Sequence, residues 1–172
     1  VPPATFLKSN YTTFPLSSIS NSKTIHCNEN GYYSIYKSYR FGFNNPDEEW
    51  SEKEVEYVLV GDSFTHGACV NRPFDIGSVL RNISKKSVLN LGFSGNGPLI
   101  EYATLREYLN QNVKKVIWIY CEGNDLIKDL NHEMSSEILM NYINDLTFSQ
   151  NLKLKQNEID DLVIKKINSH IE

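Results

Sequence analysis

Three short segments carry residues suited to acyl transfer. Gly61-Asp62-Ser63-Phe64-Thr65-His66-Gly67, Gly92-Phe93-Ser94-Gly95-Asn96-Gly97 and Cys121-Glu122-Gly123-Asn124-Asp125 each follow directly on an apolar run. Acyl transfer needs a nucleophile, a base for its proton, and donors aimed at the oxygen that becomes negative. Ser63, placed after a strand and before a helix, is the candidate nucleophile, and its own N–H is a candidate donor. Gly95 lets a backbone N–H approach closely because it has no side chain, and the Asn124 amide is a second kind of donor. Asp62, Glu122 and Asp125 are the carboxylates beside them.

Each motif also has a plainer reading. Gly, Asp and Ser are ordinary turn and N-cap residues, so Gly61-Asp62-Ser63 alone says little; three such loops after three apolar runs say more. The G-x-S-x-G elbow fits poorly because Thr65 stands where its second glycine belongs. His66 lies three residues from Ser63, yet neighbours on one helix seldom meet in line, so it is expected to line the mouth of the site. His66-x-x-Cys69 and His26-Cys27 lack third and fourth ligands, and no metal is expected. Gly92-x-x-Gly95-x-Gly97 is not a dinucleotide fingerprint, and no cofactor is implied. Glu122 and Asp125 serve as readily to stabilise the loop as to form an acid–base pair, and Asp125 is read as structural. The sequons at Asn10 and Asn82 are what Asn-rich sequence produces by chance.

With these residues in place, the chain resembles the SGNH hydrolases, also called GDSL esterases. GDS at the first loop, N-x-G-x-S-G-N over Asn90–Asn96 and G-N-D at the third match the family's first three blocks, between about Val58 and Asp125. The resemblance implies that Ser63 is the catalytic serine and an oxyanion donor, Gly95 the second donor and Asn124 the third. It makes Asp62 a partner within the first block, not a triad aspartate. Glu122 stands where the family usually has glycine, and the late Asp-x-x-His pair has no counterpart, since Ile167 precedes His170 by three. The expectation is that the chain stops before the catalytic histidine and the last strands.

The elements that must position these loops read as βα units around a parallel sheet. Tyr57–Val60, Val88–Leu91 and Val116–Tyr120 are the expected strands, with Trp118 and Tyr120 filling the core. Phe74–Ile83, Pro98–Leu109, Ser135–Leu146 and Asn157–Ile171 are the expected helices. Leu99, Tyr102, Leu105 and Leu109 form one face of the second, and Ile159, Leu162, Val163, Ile167 and Ile171 an apolar stripe on the last. The predicted fold is a flavodoxin-like three-layer α/β/α sandwich, incomplete at its C-terminus. Residues 1–50 form an irregular lead segment, with Gly31–Tyr36 its best strand, and 51–172 the hydrolase-like domain. An incomplete sheet implies an uncovered strand edge or apolar helix face.

The chain has 172 residues, 40% of them apolar and 12% aromatic, enough for one core. A net charge of −4 provides no basic field, which argues against nucleic acid as a partner. No stretch approaches the roughly 20 apolar residues of a membrane span. Three cysteines allow at most one bridge, and the start at Val1 leaves an upstream signal or anchor open, so the compartment is undecided. A small-molecule or glycan ester is the expected substrate, with an acyl group on carbohydrate or lipid favoured. The rival reading is a catalytically silent SGNH-like domain that binds a glycan or a partner protein.

Overall fold

The computed structural model describes residues 1–9, 11–29, 31–109 and 112–169. The Asn10 sequon, His170 and Ile171 lie outside them.

Strand β3 (Val55–Gly61) is the centre of a three-stranded parallel sheet, with β4 (Val88–Asn90) on one side and β5 (Val113–Ile119) on the other. Leu59 pairs with Asn90, and Gly61 with Ile119. The run Val58-Leu59-Val60-Gly61 is buried throughout, as a strand covered on both faces requires. Val58 and Val60 join a core with Phe6, Phe14, Leu16 and Phe43 from before the sheet and Leu139, Tyr142, Ile159 and Val163 from the C-terminal helices.

The helices flank this sheet. They are the single turn α1 (Ser63–His66), α2 (Ile76–Ser84), α3 (Pro98–Tyr108), a second single turn α4 (Leu130–Glu133), α5 (Glu137–Asn144) and α6 (Gln156–Asn168). A π-helical turn, Asp125–Asp129, precedes α4. The buried residues of α3 are Leu99, Ile100, Glu101, Ala103, Thr104, Glu107 and Tyr108, one step round from the expected stripe, and Leu109 is exposed. The offset has a polar cause. Glu107 is drawn inward because its carboxylate accepts from Tyr142 Oη (2.6 Å), Ser149 Oγ (2.9 Å), Gln150 N (2.6 Å) and Leu152 N (2.9 Å).

Before the sheet, β1 (Ser22–Ile25) and β2 (Ile35–Ser38) pair antiparallel. The strand expected over Gly31–Tyr36 starts later, because Tyr32 and Tyr33 lie exposed in the connection. A Cys27–Cys69 disulfide ties this hairpin to the segment after α1, and Cys121 is a free thiol.

Trp118 and Tyr120 do not fill the core: they are 43% and 44% exposed. Among the described residues β5 pairs only with β3, so its outer edge and much of its surface lack cover. Phe74, Ile76, Val79 and Ile83 are exposed as well, and with Leu59, Ile117 and Ile119 they line an open apolar groove of about 330 Å³.

Replacing Glu107 by Gln turns one of its two acceptor oxygens into a donor facing donors. Glu107→Gln should therefore lower stability by roughly 2 kcal/mol or more, read from urea unfolding. An unchanged midpoint would show that this carboxylate does not hold α3 to the chain that follows.

Candidate active site

In a parallel sheet all strands end on the same side, so the loops after β3, β4 and β5 emerge together, where open α/β sheets bind ligands. Ser63 stands two residues beyond Gly61, Gly95 five beyond Asn90 and Asn124 five beyond Ile119. Close packing locks the three loops to one another. A Cβ on Gly92 would lie 2.7 Å from the His66 backbone nitrogen, and one on Gly97 2.6 Å from the Asp129 Cβ. The second loop therefore rests on α1 to one side and on the π-helical turn to the other.

Side chains from one loop satisfy the backbone of another. Asn90 donates from Nδ2 to the Thr65 carbonyl (2.5 Å) and accepts from Gly92 N (2.8 Å). Asn45 brackets the same residue, donating to the Asn90 carbonyl (2.6 Å) and accepting from its N–H (2.8 Å). The first turn of α3 has Pro98, and no side-chain cap of its own. Glu133 supplies the cap from α4, accepting from Gly97 N (2.6 Å), Leu99 N (2.8 Å) and Ile100 N (3.2 Å).

Ser63 opens α1 and is half-buried, and among the described residues no hydrogen bond engages its hydroxyl. Asp62 is buried and caps the same turn, accepting from Phe64 N at 3.0 Å. Gly95 is exposed, with φ +79°. Asn124 is half-buried, and its amide nitrogen already donates to Asp129 Oδ2 (2.6 Å) and Asp125 Oδ1 (3.1 Å). Asp125 is fully buried and also accepts from Cys121 N (2.6 Å), which folds the third loop back on itself. Glu122 points outward, exposed.

His66 does not line the mouth. It is 2% exposed, with Nε2 2.9 Å from Tyr36 Oη and Nδ1 accepting from Ser94 N (3.1 Å). Both ring nitrogens are thus committed away from Ser63. Burial, then the charge of neighbouring His26, keeps its pKa well below the ordinary imidazole value.

Sequence reasoning passes over Glu101, a buried carboxyl in α3. Its Oε2 accepts from Trp118 Nε1 at 2.6 Å, while Oε1 has no partner among the described residues. Burial pushes its pKa up to about 8, with Asp125, Asp62 and Glu133 adding repulsion. Glu133 is pushed up to about 7 by burial, against the pull of its three backbone donors. Only position in α3 could have signalled Glu101, and a lone Glu at a helical position reads as surface. Among the described residues no group of three or more His, Cys, Asp or Glu is arranged to hold a metal ion, and no helix is long and apolar enough to cross a membrane.

Compared with protein families, curated proteins and solved structures, the chain matches none.

The folded chain holds the Glu101 proton more tightly than an unfolded chain, where the pKa is near 4.5. The stability this contributes is complete below that value and is lost as pH rises through about 8. Glu101→Gln keeps an acceptor for Trp118 and cannot ionise. It should match the parent near pH 4 and exceed it by roughly 1–3 kcal/mol at pH 9, measured by urea unfolding at both values. A difference independent of pH would show that this carboxyl does not titrate with folding.

Proposed function

We propose that the chain is a serine ester hydrolase of the SGNH type, built on a flavodoxin-like three-layer α/β/α sandwich, acting on acyl groups carried by a carbohydrate or lipid. The observation that carries this reading is the placement of Ser63. It is the first residue of a helical turn directly after the central parallel strand, its hydroxyl unengaged among the described residues, while Asp62 beside it caps the turn and both ring nitrogens of His66 are bonded elsewhere. The motif resemblance of the three loops supports the same assignment, as does their emergence from one end of the sheet.

In this reading the Ser63 oxygen attacks the ester carbonyl, a bond forms from Oγ to the acyl carbon, and the carbonyl oxygen becomes negative. The Ser63 and Gly95 N–H groups have no acceptor among the described residues and are free to receive that charge. Asn124 joins them by turning its amide away from Asp129 and Asp125. The Ser63 proton passes to a base, the alcohol leaves with a proton, and water releases the acyl group. None of the described histidines, His26, His66 and His132, is hydrogen-bonded to Ser63.

That same gap, together with the occupied Asn124 amide, favours the second reading, a catalytically silent domain that binds a glycan or protein partner.

Free imidazole in solution separates the two. With imidazole as external base, the chain should hydrolyse p-nitrophenyl acetate faster than imidazole alone, and Ser63→Ala should abolish the excess. Donors and binding without a built-in base leave on the order of 10³ to 10⁴ over water, within reach of the assay. An excess rate that survives Ser63→Ala, or no excess at all, would remove Ser63 as nucleophile and leave the binding reading.

A further inference from the structure

The second loop closes as a four-residue turn: Asn96 N donates to the Phe93 carbonyl at 3.2 Å, with Ser94 and Gly95 at the centre. The φ of +79° at Gly95 is what a type II turn requires at its third position. Type I and type II turns differ mainly in the orientation of the central peptide. Here that peptide joins the Ser94 carbonyl to the Gly95 N–H, and because it is planar the direction of that N–H within a type II turn follows the orientation of Ser94. Gly95 is exposed and has no side chain with which to anchor the turn.

The anchor lies one residue earlier. Ser94 N–H donates to His66 Nδ1 at 3.1 Å, and Ser94 Oγ lies 2.7 Å from His26 Nε2 and 3.2 Å from His66 Nδ1. An accepting Nδ1 means that His66 carries its proton on Nε2, which then donates to Tyr36 Oη at 2.9 Å. The imidazole packs against His26, with ring centroids 4.2 Å apart, and against Phe93 at 4.5 Å. Three separate pieces of chain therefore meet here, two on Ser94 directly and the third, through Tyr36, on His66. His66 belongs to the turn that begins with Ser63, Tyr36 to β2, and His26 to the end of β1 beside the disulfide.

We propose that His66 and His26 are positioning residues that, by holding Ser94 at its N–H and its hydroxyl, fix the orientation of this corner residue and so the direction of the Gly95 N–H that departs from it. The proposal rests on the hydrolase reading for its catalytic consequence, and on the hydrogen bonds alone for its structural one. It gives the β1–β2 hairpin a role in the site, because the hairpin supplies His26 and Tyr36, which orient a loop more than 50 residues further along. It also couples nucleophile and donor, since His66 sits on the same helical turn as Ser63.

His66→Phe keeps the ring and its packing but removes both hydrogen bonds. His66→Asn restores an acceptor near Nδ1. Ser94→Ala removes only the hydroxyl contacts and serves as the second test should His66→Phe fail to fold. In ¹⁵N relaxation dispersion the Gly95 amide should be quiet in the parent, show exchange in His66→Phe and in Ser94→Ala, and quieten again in His66→Asn. In the imidazole-assisted ester assay, His66→Phe should lower kcat on the order of 10- to 100-fold with KM little changed, and His66→Asn should recover most of it. A Gly95 amide as quiet in His66→Phe or Ser94→Ala as in the parent overturns the proposal, as does a loss expressed in KM alone. Hydrolysis indifferent to Ser63→Ala strikes the hydrolase reading by itself. The Gly95 relaxation in the same variants then upholds or overturns the grip on the turn.

Discussion

At Gly61 the backbone of the central strand comes so close to its neighbours that no side chain fits. A Cβ there would lie 2.5 Å from the Ile119 carbonyl oxygen and would overlap the Thr65 hydroxyl. This approach joins the end of β3 to the end of β5 and turns the chain sharply into α1, so Ser63 emerges between the other two loops. The Phe93 N–H then reaches the Gly61 carbonyl at 3.1 Å, drawing the second loop onto the same point. Every later contact of the site presupposes this crowding. Had the strands ended further apart, Asn90 would not span to Thr65, nor would His66 reach Ser94.

Crowded loops bury peptide groups that water no longer serves, and each orphan left behind would cost roughly 1–3 kcal/mol. The chain meets this need with side chains sent to neighbouring elements or back onto their own loop: Asn90 to the α1 backbone, Glu133 to the start of α3, Asp125 to Cys121. Carboxylates used this way are expensive to bury. Glu133, and the buried Glu101 that holds Trp118, are accordingly held toward their neutral forms.

The parallel sheet and its three loops are legible in the sequence because both are local patterns. Short apolar runs ending in Gly, Asp, Asn and Ser mark strand ends wherever they occur, and Tyr57–Val60 and Val88–Leu91 lie within a residue or two of the observed strands. What sequence does not show is which faces are covered. Trp118 and Tyr120 look like core residues because they alternate with isoleucines, but cover is a property of neighbours, and β5 has one strand beside it among the described residues. His66 misleads for the opposite reason. Its partners, Ser94 and Tyr36, lie 28 and 30 residues away, so adjacency to Ser63 is the only relation visible in sequence, and it is the wrong one. Glu107 and Glu133 read as surface residues for want of the distant donors that draw them inward.

The Cys27–Cys69 bridge spans 42 positions, and the chain between its ends contains β2, all of β3 and Ser63. The candidate nucleophile and the central strand thus belong to a covalent ring, while both termini hang outside it. Closing a ring of that size removes about 4 kcal/mol worth of freedom from the unfolded chain in the simple entropic account. The ring also changes what a protease can accomplish. A single cut at the exposed Tyr32–Tyr33 connection opens the loop without releasing a fragment, so the two arms of the hairpin, and with them Tyr36 and His26, would remain on one molecule until the bridge itself was reduced.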